Sequence, residues 1–175
     1  EAPSKGKPDK IPQLRPAFAK DGTITAATSS SISDGAAAVV LSRESVAKEN
    51  GQTPVAKIVG LAAHAQEPSK FTVAPIGAIE KLLEQTGWSA EDVDLWEVNE
   101  AFACVAMFAM RDIGIPHDKI NVNGGGTALG HPIGASGTRI IVTLLNALKQ
   151  QGKKRGIASL CIGGGEATAV AVEMV

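Results

Sequence analysis

From residue 54 onward, the sequence alternates between β-rich runs and amphipathic helical patterns, and this alternation restricts the fold more than any other feature. Two of the helical patterns end at a glycine, Gly87 and Gly152, as helices commonly do. The pattern over 101–113 is apolar nearly all round, so that helix is expected to be buried on most sides. Strand–helix alternation at this spacing is typical of an α/β sheet covered by helices. The predicted strands are 55–65, 94–98, 120–123, 157–162 and 167–174, and the predicted helices are 75–86, 101–113 and 136–151, in the order βαβαβαββ.

The chain before residue 54 has a less regular pattern. Four of the nine prolines fall within 1–16, which predicts an extended segment. A short strand is expected over 22–26, and a short helix over 45–50 that is closed by Gly51. The apolar run 36–41 fits either a buried helix or a buried strand.

The composition excludes several classes of protein. Hydrophobic residues make up 44% of the chain and charged residues 20%, so the whole chain is not intrinsically disordered. No apolar run approaches the ~20 residues of a membrane span, so no membrane association is expected. The net charge of -1 and the 3% of aromatic residues are unlike a nucleic-acid-binding protein. Two cysteines do not make a secreted disulfide scaffold, which favours a reducing compartment and a cytoplasmic location.

Chemically capable residues follow three of the predicted strands. They are the pair Asn99-Glu100, the glycine-rich run 124–130 that leads to His131, and Cys161 followed by the glycines 163–165. In open α/β sheets, ligands bind beyond the carboxyl ends of the strands. An amide, an imidazole, a thiol and unobstructed backbone N–H groups are the parts that acyl transfer needs, namely a base, a thiol and donors for an oxyanion.

Each of these residues also has a purely structural interpretation. Asn99 and Glu100 suit the cap of the helix that follows them. Cys161 at a strand end is often a small buried hydrophobe. The glycines 163–165 fit a tight turn between two strands. His131 is equally consistent with a loop residue that bonds to the backbone and with a catalytic base, so the residues alone leave both interpretations open.

Two other kinds of site are less consistent with the sequence. A G-x-G run after the strand 120–123 imitates a dinucleotide-binding fingerprint, and a nucleotide-binding domain with tight NAD binding is a third hypothesis. The spacing argues against it, because Leu129 stands where the third glycine is required. A zinc site built from Cys104, His131 and Cys161 would lack any closely spaced ligand pair, so no metal is expected.

Four motifs carry a resemblance to a known family. They are Asn99-Glu100-Ala101-Phe102-Ala103, Asn121-Val122-Asn123-Gly124-Gly125, Ala128-Leu129-Gly130-His131-Pro132-Ile133-Gly134-Ala135-Ser136-Gly137 and Cys161-Ile162-Gly163-Gly164-Gly165. Their residues, order and gaps closely resemble the thiolase family, most of all its short-chain members. The segments 15–18 and 34–38 are similar as well, so the resemblance extends from about Lys10 to the end. It implies a layered α/β fold in which helices cover a mixed sheet.

The resemblance implies a reversible acyl transfer between coenzyme A thioesters, in which two acetyl-CoA molecules give acetoacetyl-CoA and coenzyme A. Cys161 would be the acid and base at the carbon next to the thioester, and His131 would activate a nucleophilic cysteine. Asn99 would hold a water in one oxyanion hole, and the Gly163 N–H would contribute to a second. The nucleophile lies in the first half of the family's chains, so this chain is expected to match the carboxy-terminal half and to be inactive alone.

The resemblance further implies how ligands and partners are bound. Phe18, Ser30, Ala101 and Phe102 match positions that contact coenzyme A, which is a substrate and product, and no cofactor is expected. The partners would be acyl-CoA molecules, the amino-terminal half of the enzyme, and further copies in a homodimer or homotetramer. The expected organisation is the end of a loop domain over 1–21, the last strand and helix of an amino-terminal thiolase domain over 22–52, and a carboxy-terminal thiolase domain over 53–175.

The sequence departs from the family pattern in two places. Ser31 stands where the family usually has a glycine, which adds a Cβ beside the expected coenzyme A surface. Gly126-Thr127 stands where family chains often have Ala-Ile. A different class of function stays open as well, because a thiolase-like chain without a nucleophile half would be a non-catalytic assembly or binding module.

Overall fold

Four strands form one mixed sheet in the computed structural model, which describes residues 6–175. The strands are β1 (Ala56–Ala65), β2 (Leu95–Val98), β3 (Arg155–Ile162) and β4 (Glu166–Met174), in the spatial order β1-β4-β3-β2. β2 and β3 are parallel neighbours, whereas β4 is antiparallel to both β3 and β1. The prediction of a mixed α/β sheet is therefore confirmed.

Helices cover both faces of this sheet. α2 (Ala74–Thr86) and α3 (Ala103–Ile113) cover one face, and α5 (Ser136–Gln151) covers the other. Two short helices, α1 (Glu44–Glu49) and α4 (Gly126–Leu129), lie in the connecting segments. The helices α2 and α5 end at Gly87 and Gly152, both with positive φ, as the sequence predicts. Because alternate residues of a strand face opposite sides, β3 contributes Ile157 to the layer with α2 and α3, and Ala158 to the layer with α5.

The strand predicted over 120–123 is not formed. Ile120 makes a single parallel bridge with Trp96, and Asn121 then turns the chain with a φ of 47°. The Asn121 side chain accepts a hydrogen bond from the Val98 N–H (2.9 Å) and donates one to the Val98 carbonyl (2.8 Å). A side chain thus replaces the backbone of a strand beside β2, and the observed order from β1 onward becomes βαβαααββ.

The helix predicted over 101–113 is shorter and less buried than expected. It begins at Ala103, because Phe102 is extended and pairs with Ser29 in an isolated β-bridge. Its buried residues are Val105, Ala106 and Ala109, whereas Met107 on the other side is 60% exposed. The prediction of burial on most sides is wrong for this chain, since one face alone packs on the sheet.

Residues 6–52 contain little regular structure. The extended segment predicted over 1–16 includes a 3-10 helix at Pro8–Gln13, and its residues 1–5 lie outside the described part of the chain. The predicted helix over 45–50 is confirmed as α1, with Gly51 after it at a φ of 63°.

Two predictions within 6–52 are wrong. No strand forms over 22–26, because the side chains of Thr25 and Thr28 cap each other's backbone and close a 3-10 turn at Ala26–Thr28. The apolar run 36–41 is neither helix nor strand and lies on the surface, with Val40 97% exposed.

Candidate active site

Asn99 lies one residue beyond β2, at the carboxyl end of the two parallel strands. Its backbone N–H donates to the Ser159 carbonyl (2.9 Å), which continues the β2–β3 ladder and buries the side chain to 1% exposure. The residue before α3 is Phe102, and no side-chain hydrogen bond caps that helix. The interpretation of Asn99 and Glu100 as caps of this helix is therefore wrong.

His131 lies opposite Asn99, although 32 residues separate them in sequence. Its backbone N–H donates to the Ser31 carbonyl (2.8 Å), and its ring Nε2 lies 3.4 Å from Asn99 Nδ2. The ring Nδ1 lies 2.6 Å from the hydroxyl of Ser136, the first residue of α5. The structure therefore brings two predicted site residues together and holds the ring from both sides.

The hydrogen bonds around His131 determine which of its two ring nitrogens carries the hydrogen. The Ser136 hydroxyl has a single hydrogen, which it donates to the Pro132 carbonyl (3.0 Å). Nδ1 of His131 must then carry the hydrogen of the 2.6 Å contact, and Nε2 keeps its lone pair for the Asn99 amide. Burial lowers the pKa of His131 below its ordinary value, and the charge of Arg139 lowers it further, so the imidazole is neutral at pH 7.

The amide oxygen of Asn99 is buried and has no hydrogen-bond partner among residues 6–175. A buried acceptor without a partner costs free energy, so this oxygen is available to a water or a ligand. The position that a Cβ on Gly126 would take lies only 3.4 Å from this oxygen and 2.8 Å from the Glu100 carbonyl, so glycine at 126 permits the close approach seen in this chain.

Cys161 is the next-to-last residue of β3, and it pairs with Ala167 of β4. It is 7% exposed and belongs to the core shared with α2 and α3, so the packing of a small buried hydrophobe is observed. Burial raises the pKa of its thiol to about 11, so the thiol is protonated at pH 7. No hydrogen bond links Cys161 to His131 or Asn99 in the described part of the chain.

The glycines after Cys161 form the tight turn between β3 and β4. Gly165 has a φ of 96°, and a Cβ there would collide with the Gln66 carbonyl, so the turn requires glycine. Gly163 lies in open space, with no atom within 4 Å of the position of a Cβ. Its predicted role as an N–H donor stays a prediction.

The residues predicted to contact coenzyme A lie close together. The rings of Phe18 and Phe102 meet edge to face at 5.9 Å, and the Ser30 hydroxyl and N–H both donate to the Ala101 carbonyl, at 2.9 Å and 3.1 Å. Phe71, which no sequence pattern singles out, adds a third ring at 6.1 Å from Phe102. Ser31 is exposed, and its hydroxyl lies 3.1 Å from that of Ser33.

Sequence reasoning missed the positions of two polar side chains. Ser136 is fully buried against His131. The feature of the sequence that could have indicated this is a serine at the start of a predicted helix, five residues after His131. Glu100 accepts hydrogen bonds from the Asn121 amide, at 2.8 Å, and from both the backbone N–H and the hydroxyl of Thr127. Its signal would have been the two glycines at 125 and 126, which permit a close approach.

Two further properties bear on ligands and location. No group of three or more His, Cys, Asp or Glu side chains within 6–175 could hold a metal ion. In the same residues, every helix is too short or too polar to cross a bilayer.

Comparison with known proteins gives consistent matches. The family model described as "Thiolase, C-terminal domain" matches residues 52–174, and "Thiolase, N-terminal domain" matches residues 2–45. An acetyl-CoA acetyltransferase of Chromobacterium violaceum is 51% identical over 165 residues, which are 94% of this chain and 42% of the relative. A probable acetyl-CoA acetyltransferase of Dictyostelium discoideum is 49% identical over 173 residues, which are 99% of this chain and 42% of the relative.

Solved structures agree with these sequence matches. The crystal structure of an acetyl-CoA acetyltransferase from Bacillus anthracis superposes with a TM-score of 0.95 at 44% identity, covering 98% of this chain and 44% of that one. The Acat5 thiolase of Ascaris suum, in complex with coenzyme A, has a TM-score of 0.91 at 40% identity, covering 100% and 46%. The chain thus spans less than half the length of the proteins it matches.

Proposed function

We propose that this chain, which belongs to the thiolase family, is the carboxy-terminal part of an acetyl-CoA acetyltransferase. The reaction is the reversible conversion of two acetyl-CoA molecules into acetoacetyl-CoA and coenzyme A. The observation that carries the proposal is the meeting of Asn99 and His131 at the carboxyl ends of β2 and β3, 3.4 Å apart. The 51% identity to the Chromobacterium violaceum enzyme supports the same reaction.

His131 acts as the base for the nucleophile. With Nδ1 held as a donor to Ser136, the lone pair of Nε2 gives up its long 3.4 Å contact with the Asn99 amide and accepts the proton of a cysteine thiol from the amino-terminal half of the enzyme. The thiolate attacks the substrate carbonyl, and the ring, now carrying a hydrogen on Nε2, donates it as a hydrogen bond to the thioester oxygen. The lowered pKa of His131 keeps the ring neutral, and therefore basic, before this step.

Asn99 and Gly163 stabilise negative charge on the two reacting carbonyl oxygens. The free amide oxygen of Asn99 accepts a hydrogen bond from a water, whose second hydrogen points to the thioester oxygen beside His131. The exposed N–H of Gly163 is the donor for the second oxygen. Donors fixed in advance stabilise a developing oxyanion more than mobile water does.

Cys161 moves the proton at the carbon next to the thioester. In cleavage of acetoacetyl-CoA, the carbon–carbon bond breaks and its electron pair becomes an enolate of acetyl-CoA, which takes the proton from the Cys161 thiol. The thiolate left on Cys161 then accepts the proton of the incoming coenzyme A thiol, whose sulfur attacks the acetyl group on the nucleophilic cysteine. The bond from the acetyl group to that cysteine breaks, acetyl-CoA leaves, and the cysteine thiolate takes its proton back from His131. A pKa of about 11 makes Cys161 the acid of the cleavage direction.

Coenzyme A is bound as substrate and product at the surface formed by Phe18, Ser30, Ala101 and Phe102. The contacts among these residues support this placement. The Ascaris suum thiolase, whose structure is a complex with coenzyme A, supports coenzyme A as the ligand. The partners are the amino-terminal half and further copies in a homodimer or homotetramer, and no cofactor takes part. The location is cytoplasmic, as the name of a Gibberella zeae relative states for that protein.

Co-expression of this chain with the amino-terminal half of the Chromobacterium violaceum enzyme tests the proposal. The two halves are expected to co-purify and to cleave acetoacetyl-CoA in the presence of coenzyme A, whereas this chain alone has no acyl-accepting cysteine and should be inactive. Cys161→Ser should lower turnover of the complex about 10²- to 10⁴-fold, since serine is far less acidic.

Cys104→Ser is the matched control, because Cys104 is half-buried in the first turn of α3 and has no role in the mechanism. This variant should keep the turnover of the wild-type complex. An inactive complex would favour a non-catalytic module, and full activity of Cys161→Ser would leave Cys161 as a core residue only.

A further inference from the structure

Two separate loops carry Asn99 and His131. Asn99 lies in the connection between β2 and α3, whereas His131 follows the single turn of α4 by two residues. The 3.4 Å separation of their side chains therefore depends on how these loops are held together, because neither loop lies within a strand or a long helix.

The Glu100 carboxylate joins the two loops. One oxygen accepts a hydrogen bond from the Asn121 amide (2.8 Å), and Asn121 is itself bonded to Val98 at the end of β2. The other oxygen accepts the N–H (3.3 Å) and the hydroxyl of Thr127, in the first turn of α4. A carboxylate that accepts three hydrogen bonds makes a strong, directional contact.

Glycines at positions 125 and 126 allow the second loop to approach Glu100 closely. A Cβ on Gly125 would overlap both carboxylate oxygens of Glu100, and a Cβ on Gly126 would lie 2.8 Å from its backbone carbonyl. The Gly130 N–H then bonds to the Gly126 carbonyl (2.9 Å), which leads the chain directly to His131. Glu100 is thus connected to His131 through Thr127 and the hydrogen-bonded turn of α4.

We propose that Glu100 is a positioning residue which, through Thr127 and α4, sets the distance between Asn99 and His131. This inference rests on the proposed function, since the distance matters for turnover only if both residues act on the same thioester. The hydroxyl of Thr127 is a feature of this chain, because family chains often have Ala-Ile in place of Gly126-Thr127.

Glu100→Gln in the complete enzyme is the first test. The amide can accept from Asn121 or from Thr127, but its NH₂ group faces a donor on the remaining side. We expect kcat to fall about 10- to 100-fold, since small misplacements of catalytic groups have effects of this size. The KM for acetoacetyl-CoA should stay within twofold, because neither Glu100 nor Thr127 belongs to the surface proposed to contact coenzyme A.

Asp94→Asn is the matched control at the opposite end of β2. The Asp94 carboxylate accepts the backbone N–H groups of Lys154 (3.0 Å) and Arg155 (2.9 Å), so the change removes a comparable anchor far from the site. It should lower the melting temperature without lowering kcat. If Glu100→Gln changes kcat no more than Asp94→Asn does, the proposal is wrong.

Thr127 supplies a second test that does not depend on the folding of Glu100→Gln. Thr127→Ser keeps both donors and should match the wild type, whereas Thr127→Val removes the hydroxyl and should lower kcat several-fold. If Glu100 acts through Thr127, the double variant with Glu100→Gln and Thr127→Val should be no slower than Glu100→Gln alone. Multiplicative effects of the two changes would overturn the proposed path.

Crystal structures of the complete enzyme separate this inference from the proposed function. The distance between Asn99 Nδ2 and His131 Nε2 should lengthen by about 0.5 Å or more in Glu100→Gln and stay unchanged in Asp94→Asn, a displacement of the size that disturbs a catalytic geometry. An unchanged distance in Glu100→Gln contradicts the inference even if the enzyme is active. An inactive wild type contradicts the proposed function, and the measured distance still decides the role of Glu100.

Discussion

Residues 6–52, which we call the strap, and residues 53–175, which we call the sheet domain, are held in place by different means. Ala47 is the only buried residue of the strap, whereas the sheet domain has a hydrophobic core on each face of its sheet. Where the strap meets the site, its contacts are mostly backbone pairs, such as Ser29 with Phe102 and Ser31 with His131.

The difference shows that the strap takes its shape from the site rather than from a core of its own. Gly35 illustrates this, because a Cβ there would lie only 2.7 Å from the ring of Pro132, next to His131. The strap and the loop after His131 together line a cleft of about 380 Å³. We therefore expect substitutions in the two regions to differ in kind, and three predictions test that contrast.

The largest difference is expected for leucines. Leu144 of α5 is fully buried against β2 and β3, so Leu144→Ala should lower the free energy of unfolding by about 2–5 kcal/mol. Leu41 of the strap is 72% exposed, and Leu41→Ala should change it by less than about 0.5 kcal/mol. Urea denaturation of both variants measures these values. A large decrease in the free energy of unfolding for Leu41→Ala would contradict this difference, because it would mean that the strap is buried in solution.

The sequence predicts the sheet domain better than the strap, for a physical reason. The helix predicted over 136–151 is α5 to the residue, because a periodic apolar face and a terminal glycine are local signals. The strand predicted over 22–26 is not formed. Mutual capping by Thr25 and Thr28 stabilises a turn there, and no neighbouring strand in the described chain offers the segment a pairing partner. The strand over 120–123 fails because the Asn121 side chain makes the bonds that a backbone would make.

The same distinction applies to the site. Asn99 follows β2, as the rule that strand ends gather functional groups predicts, and His131 lies 3.4 Å from it. His131 itself follows no strand, because the strand predicted over 120–123 is not formed, and the roles of both residues stay predictions. The roles of Ser136 and Glu100 depend on which donor meets which acceptor after the loops close, and spacing alone does not encode that. The placement of Cys161 opposite a nucleophile stays a prediction, as do the domain boundaries.

Buried charge should also distinguish the two regions. Glu97 in β2 is 2% exposed, and burial raises its pKa to about 7 against the opposing charge of Arg139. The folded state then binds more protons than the unfolded state between about pH 4.5 and 7, so stability is present below this window and is lost as pH rises through it. Relative to Glu97→Gln, the wild type should lose about 3 kcal/mol from pH 4.5 to 8.

Denaturation at several pH values measures this difference, with Glu44→Gln in the strap as control. Glu44 is exposed, and its hydrogen bond with Lys48 lowers its pKa. Its contribution changes only at acid pH, so Glu44→Gln should parallel the wild type above pH 5. A flat difference between wild type and Glu97→Gln would show that Glu97 keeps its charge in the folded protein.

The smallest effect is expected where the two regions meet. Ser30→Ala removes the hydroxyl that donates to the Ala101 carbonyl (2.9 Å), which should cost about 1 kcal/mol and loosen the strap. Ser42→Ala is the control, because the Ser42 hydroxyl is exposed and bonds only to its neighbour. Limited proteolysis of the strap measures the change. Equal cleavage rates for both variants would show that backbone pairing alone holds the strap.

Asn121 has a consequence for how β2 avoids edge-to-edge pairing with strands of other molecules. β2 is an edge strand, and an unpaired edge exposes N–H and C=O groups to which a strand of another molecule can add. Asn121 occupies both polar groups of Val98 with its side chain and the Trp96 carbonyl with its own N–H (2.8 Å). One asparagine therefore closes the edge as a fifth strand would, and it blocks the addition of a strand from another molecule there.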